Sequence, residues 1–222
     1  EALNNEIEAN SKELLGGDIQ VTSGIDPLPS EVFEELKALG EVSSTIELAT
    51  MISKKGQAPV FAELRAVDSN YPLYGEIISK PQGASEKIFL NTEKPTVLIN
   101  ESIQKLLKVK IGDDVVIMGK SFQVGGLVLS VPDLAERAVF GEFAIISMSS
   151  YDQFRLSAGG SFLDHEYRLK FSNSNEESEQ TRFVKSIIAY DDSIQTRLPG
   201  ESGRSLNRII DNFSNFLNLV SV

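Results

Sequence analysis

The 222-residue sequence contains no cysteine and one histidine, His165. The first absence excludes disulfides, thiolate metal sites and a cysteine nucleophile, and is compatible with either a reducing or an oxidising compartment. The second excludes two-histidine metal centres and the His/Cys sets of structural zinc. No apolar run approaches the roughly 18 residues that cross a bilayer, and no charged start followed by an apolar stretch marks a signal peptide. Positive charge is also scarce, with 21 Lys and Arg against 32 Asp and Glu. The imbalance is N-terminal: residues 1–50 hold 11 acids and 2 bases, residues 51–150 hold 11 of each, and the rest holds 10 acids and 8 bases. Without a basic stripe or aromatics set between cations, nucleic-acid binding is disfavoured, and an anionic membrane surface would repel the first fifty residues.

One short motif invites a nucleotide. Gly119-Lys120-Ser121 is the tail of a phosphate loop, whose backbone amides must curl around two phosphates before the lysine reaches them. The required first glycine would be residue 114, which is Asp114, and the nearest glycine, Gly112, is followed by Asp113-Asp114. Ser121 also leads into FQVGGLVLSV, an alternating strand pattern rather than a helix whose N-terminus could face an anion. The stretch reads as architecture: Gly112 ends one element and Asp113-Asp114 turns into the next.

Periodicity predicts a helix over 1–15 stopped by Gly16-Gly17, then a short strand in DIQVTS. A helix over SEVFEELKAL follows, capped at or before Ser30, with Val32, Phe33, Leu36 and Leu39 on one face. VSSTIELATMISK and APVFAELRAV read as a hairpin across Lys55-Gly56-Gln57. Residues 80–95 are rich in Pro, Gly, Ser and Lys, with KIFLN as an extended island, and read as a joint. PTVLIN is then a strand, ESIQKLLK a helix, DDVVIM and SFQVGGLVLSV paired strands, and FGEFAIISM a further strand. SSYDQFRL reads as a helix capped by Ser149 or Ser150, and AGGS at 158–161 as a second joint. HEYRLKFS is a strand, and NEESEQTRFVKSIIAY a helix with Phe183, Val184, Ile187 and Ile188 inward. SIQTRL is a strand, and RSLNRIIDNFSNFLNLVSV an amphipathic helix still open at Val222. Since the chain starts on Glu1 and stops inside that pattern, it is expected to be a segment of a longer polypeptide.

The sequence offers little for catalysis. His165 lies between Asp164 and Glu166, but no Gly-x-Ser-x-Gly elbow accompanies it. The adjacent carboxylates Glu34-Glu35, Asp113-Asp114, Glu176-Glu177 and Asp191-Asp192 diverge on helix and strand alike, so they read as solvated faces and caps. No Asp-x-Asp-x-Asp-Gly calcium loop is present. No catalytic, cofactor-binding or metal-binding residue is assigned. The stretch that no simple helix or strand pattern demands is LRAVDSNYPLYGEI, residues 64–77.

That stretch, with LLGGDIQV, VLINESIQKLLKVKIGDDVVIMGKSFQVGGLVLSVPD and the final FSNFLNLVSV, resembles in order the large extracytoplasmic domain of MacB/FtsX-like ABC transporter permeases, nearest the YbbP-like branch. The resemblance covers residues 12–222, with departures at 80–95 and 173–205. It implies an α+β fold: a porter-like α/β unit built from both chain ends, 1–94 and 159–222, carrying membrane-proximal terminal helices. A smaller β-rich, sabre-like unit, 95–158, would be inserted between them. It also implies a noncatalytic domain on the periplasmic side of the bacterial inner membrane, in a membrane-embedded full-length protein compatible with a dimer. ATP would be hydrolysed by a separate cytoplasmic ABC subunit, and the implied contacts are a periplasmic partner or a hydrophobic, lipid-like substrate. About 20 apolar residues are then expected outside each end. Two alternatives stay open, a secreted α+β hydrolase or small-ligand binding protein using His165 and the carboxylates, and a plain interaction module.

With Asp114 in the place of the first phosphate-loop glycine, the chain should show no saturable micromolar affinity for ATP in calorimetry. Lys120→Ala should leave its melting temperature unchanged.

Overall fold

The computed structural model describes residues 10–90, 94–134, 141–154, 163–173, 177–189 and 193–200. The expected helix over 204–222, most of the one over 1–15 and the AGGS joint lie outside these residues, whereas 10–15 are helical. The strands are β1 (Ile19–Gly24), β2 (Gly40–Ser53), β3 (Val60–Val67), β4 (Ile78–Lys80), β5 (Thr96–Ile99), β6 (Asp114–Ile117), β7 (Lys120–Ser130), β8 (Phe143–Ser147), β9 (Leu163–Phe171) and β10 (Gln195–Arg197). The helices are α1 (Ser30–Leu39), α2 (Glu101–Leu107), α3 (Met148–Phe154) and α4 (Glu177–Ile188). The mixture of helices with one mainly antiparallel sheet is the expected α+β class.

All ten strands join one sheet, in the order β10-β1-β9-β2-β3-β8-β5-β7-β4. Its pairs are antiparallel except β3 with β8 and β5 with β7. β6 pairs with both β7 and the far end of β2, through Ile52 opposite Ile117. These pairings close β2, β3, β8, β5, β7 and β6 into a ring, which leaves no free edge among the six. Its interior is filled by Ile52, Leu64, Val97, Val115, Phe122 and Ala144, and α2 contributes Ile103 and Leu107 to the same core. The other half is an antiparallel wing of β10, β1, β9 and the first half of β2. Ile19, Val21, Val42 and Leu169 pack there with Leu36 of α1 and with Val184 and Ile188 of α4.

β2 belongs to both halves, with Gly40 to Leu48 paired to β9 and Thr45 to Ile52 paired to β3. The strands within 95–158 therefore do not close on themselves, since β8 pairs with β3 and β6 with β2. A boundary at 94/95 would fall inside the barrel. Nor are residues 80–90 an open joint. β4 adds to β7, and a 3-10 turn at Ala84–Phe89 buries Ala84 and Ile88 where an extended KIFLN was expected. An exposed two-residue alternation could not reveal a turn that is held by burying every fourth side chain.

Local chemistry explains the other elements. Met118 and Gly119 both have positive φ between β6 and β7, the conformation of a tight type I′ hairpin, so the Gly-Lys tail is a turn. Asp113 accepts from the Lys110 amide and from Lys54 Nζ at 2.8 Å. Asn100 caps α2 by accepting from the Ile103 amide. Ser147, not Ser149 or Ser150, caps α3 through the Ser150 amide, and Pro29 precedes α1 without any side-chain cap. On α4, Phe183 is exposed rather than inward, and the side chain of Ile187 lies outside the described residues. Gly125 is the extra residue of a bulge in β7, whose partners step from Val124 to Gly126.

Gly40 starts β2 against β9, where an added Cβ would lie 2.1 Å from the Lys170 carbonyl oxygen. The obstacle is backbone in a paired strand, so Gly40→Ala should lower stability by about 1–3 kcal/mol. Thermal melts should report this as a fall of several degrees with the secondary structure retained.

Candidate functional site

The joint between wing and barrel carries a buried charge cluster on one sheet face and an apolar cleft on the other. Alternation along the strands creates both. Thr45 and Glu47 of β2, Arg65 of β3, and Glu166 and Arg168 of β9 point one way, while Ser44 and Ile46, and His165 and Tyr167, point the other. Polar residues on one face of a strand usually meet water. Here that face is covered by residues 10–18, by 68–77 and by the 3-10 turn Pro132–Leu134.

Arg65 is 1% exposed and Arg168 2%. Arg65 Nη1 donates to Asp133 at 2.9 Å and to the Tyr71 hydroxyl at 2.7 Å, and Nη2 donates to Glu47. Arg168 Nη2 lies 2.7 Å from Asp133 Oδ2 and 2.6 Å from Glu166, while Nη1 donates to Thr45 Oγ1 at 2.8 Å. The Tyr71 hydroxyl donates to Asp133. Burial and the neighbouring Asp133 push the phenol well above its usual range, which keeps it a donor. Burial alone would raise Asp133, but Arg168 and Arg65 outweigh it and hold the carboxyl below its ordinary value of 3.8. Burial opposes the charge on both guanidiniums, yet Asp133 and the other acidic partners outweigh it and raise both.

This cluster and the contacts around it account for Arg65, Asp68, Asn70, Tyr71, Tyr74 and Gly75 of the 64–77 stretch. Arg65 and Tyr71 belong to the cluster. Asp68 accepts from the Ser44 amide at 2.6 Å and from Ser43 Oγ at 3.0 Å, and Asn70 Nδ2 donates to the Val42 carbonyl. Tyr74 donates to Asp18, which also pairs with Lys12 at 2.9 Å and accepts from the Phe171 amide. Gly75 has a φ of 70°, and a Cβ there would lie 2.5 Å from Pro132. The stretch is a strap that ties β2, β3 and β9 to the 10–18 segment. Glu47, Asp133, Glu166 and Arg168 escaped the sequence reading as a cluster. The available signal was three adjacent strands each placing charge on the same face beside a segment with no periodicity of its own.

On the opposite face lies a cleft of about 410 Å³ between α1 and the start of α3. Leu28, Phe33, Ile46, Met148, His165 and Tyr167 line it, with Glu34 and Ser30 among its polar lining. The Tyr167 hydroxyl accepts from the Leu28 amide at 3.1 Å, which fixes the loop before α1. His165 Nδ1 sits 3.0 Å from the Gly24 carbonyl oxygen.

The carboxylate pairs are not brought together. Glu34 pairs with Lys37, Asp113 with Lys54 and Asp114 with Lys94, while Glu176 and Asp191-Asp192 lie outside the described residues. Among the described residues, no three acidic or histidine side chains are grouped to hold a metal ion, and no helix is long and apolar enough to cross a membrane.

The fold has counterparts in known proteins. The periplasmic region of MacB from Actinobacillus actinomycetemcomitans matches with a TM-score of 0.55 over 93% of this chain and 98% of that one, at 14% identity. The chain has the fold of the MacB periplasmic region. The extracellular domain of the noncanonic ABC-type transporter YknZ from Gram-positive bacteria has the same fold, with a TM-score of 0.53, 9% identity, and coverage of 81% of this chain and 99% of that one. In sequence, the chain is 29% identical over 128 residues to the uncharacterized ABC transporter permease YbbP of Escherichia coli (strain K12). That match takes in 57% of this chain and 15% of the length of YbbP. No protein-family model matches the chain. The MacB-like fold and the YbbP match agree with the resemblance carried by residues 64–77.

Replacing one member of the cluster strands its partners in a buried site. Arg65→Met should cost about 3–5 kcal/mol in chemical denaturation, and Arg65→Met/Glu47→Met should recover part of the loss. Asp133 has a folded pKa below its unfolded value. The stability it confers is complete above 3.8 and is lost as pH falls through the lower folded value. Asp133→Asn should flatten that acid limb in melts taken across the range.

Proposed function

We propose that the chain is a noncatalytic extracytoplasmic domain of an ABC transporter permease, in which the cleft between wing and barrel changes width during transport. The observation carrying the first part is the MacB-like fold, which spans nearly all of both chains compared. The second part rests on the position of the cleft, between α1 of the wing and Met148 at the barrel. The two units of this reading are the wing, which holds both ends of the described chain, and the barrel, which adds β3 and the far half of β2 to the 95–158 block. The cytoplasmic ATPase subunit of such a permease would drive the motion. It would reach the joint through the helical segment 10–15, whose Lys12 pairs with Asp18 and whose Leu15 carbonyl accepts from Arg168 Nε. The strap and the charge cluster would be the fulcrum, and the apolar face opposite would open and close.

A hydrolase finds less support. Among the described residues, His165 bonds a backbone carbonyl rather than a serine or carboxylate, so no nucleophile and base are aligned.

The chain has no cysteine, so a pair introduced on the two sides of the cleft gives one cross-link. Glu34→Cys and Ser149→Cys, both at exposed positions, should together with a short bis-maleimide block transport by the full permease while ATP binding by its partner subunit persists. Normal transport by the cross-linked protein would overturn the reading.

A further inference from the structure

The cleft has the size of a small-molecule site, since such pockets run from about 300 to 1,000 Å³ and combine an apolar lining with few polar groups. Leu28, Phe33, Ile46 and Met148 supply apolar surface from four different chain segments. The polar groups select among ligands. A carbonyl oxygen can only accept, so His165 Nδ1 carries the proton of its 3.0 Å bond to Gly24. In the neutral ring, Nε2 is then an acceptor held in a fixed orientation. The Tyr167 hydroxyl is engaged by the Leu28 amide. No lysine or arginine lines the cleft, and the carboxylate of Glu34 does. Lys37, whose ammonium lies over the Phe33 ring, is already paired with Glu34 at 3.0 Å, so an anionic ligand would lose hydration without gaining an unpaired counter-charge.

We propose that this cleft binds an uncharged, largely apolar molecule carrying one N–H or O–H donor, with the apolar body against Leu28, Phe33, Ile46 and Met148 and the donor on His165 Nε2. A ligand seated there touches α1 of the wing and Met148 of the barrel together, so occupancy biases the width of the cleft. That consequence rests on the proposed function, whereas binding itself does not.

The probe is N-phenyl-1-naphthylamine, which is neutral and apolar with one N–H, titrated by fluorescence into the 222-residue chain. Saturable one-to-one binding is expected. The sulfonated analogue 8-anilino-1-naphthalenesulfonate should bind at least about tenfold more weakly, the cost of dehydrating an uncompensated anion. Met148→Trp should fill the cleft and abolish binding at an unchanged melting temperature, and Ser30→Trp is the substitute if that variant does not fold. His165→Leu should weaken the naphthylamine by about 3- to 10-fold, the worth of one hydrogen bond. The N-methylated probe, which has no donor, should bind His165→Leu and the unaltered chain equally. Absence of saturable binding, equal affinity for the sulfonate, or full binding by the tryptophan variants would overturn the proposal. A missing signal leaves the cross-linking result to decide the transport reading, and normal transport by the cross-linked permease leaves the titration standing.

Discussion

The structure depends on keeping five charged side chains out of water where β9, β2 and β3 lie side by side. Desolvating an ion costs several kcal/mol even after relaxation, so three carboxylates and two guanidiniums can be buried only if each meets partners with good geometry. The planar guanidinium fork makes this feasible: Arg65 reaches Glu47, Asp133 and Tyr71, and Arg168 reaches Glu166, Asp133 and Thr45. Asp133 receives both arginines and the Tyr71 hydroxyl, so the 3-10 turn that carries it is locked to the sheet. Arg65 Nε has no partner among the described residues. Such a cluster is a poor source of net stability and a strong determinant of which segments must lie together.

From that cluster the two halves follow. β2 is long enough to serve two neighbours, and its register hands it from β9 to β3 around Thr45 to Leu48. The wing needs α1 and α4 to cover its apolar face, whereas the barrel covers its own by closing and needs only α2 to complete the core. Where one means of covering stops and the other starts, neither α1 nor α3 spans the gap, and the cleft lined by Ile46 and His165 remains. The charge cluster and the cleft are therefore two faces of one joint. A single strand cannot be buried by two different cores without a seam.

Much of the secondary structure was legible because it rests on local physics. Gly56, Gly112 and the Met118-Gly119 pair adopt positive φ in turns that the flanking strand patterns already required. Apolar spacing identified Leu36 in α1 and Val184 in α4, since a 3.6-residue period is written in neighbouring residues. Phe183 shows the limit, because periodicity defines a stripe but not its edges. Ser149 and Ser150 stand next to the true cap, Ser147, and which hydroxyl reaches an amide depends on how β8 delivers the chain into α3. Residues 80–95 looked like a joint from their composition, yet Ala84 and Ile88 are buried, and Gly126 lets the 3-10 turn approach so closely that a Cβ would lie 2.5 Å from Ala84.

The sequence by itself determined the order of most elements and the failure of the phosphate-loop motif, which follow from spacing along the chain, while its resemblance to MacB/FtsX-like permease ectodomains implied the α+β class and singled out residues 64–77. Only the tertiary structure decided that Glu47, Arg65, Asp133, Glu166 and Arg168 share one buried site, that β6 closes a barrel on β2, and that His165 faces an apolar cleft. The physical reason is that strand alternation tells which side chains share a face but not what covers it. Whether a polar face meets water or a strap is settled by contacts between residues up to 153 positions apart, such as Leu15 and Arg168.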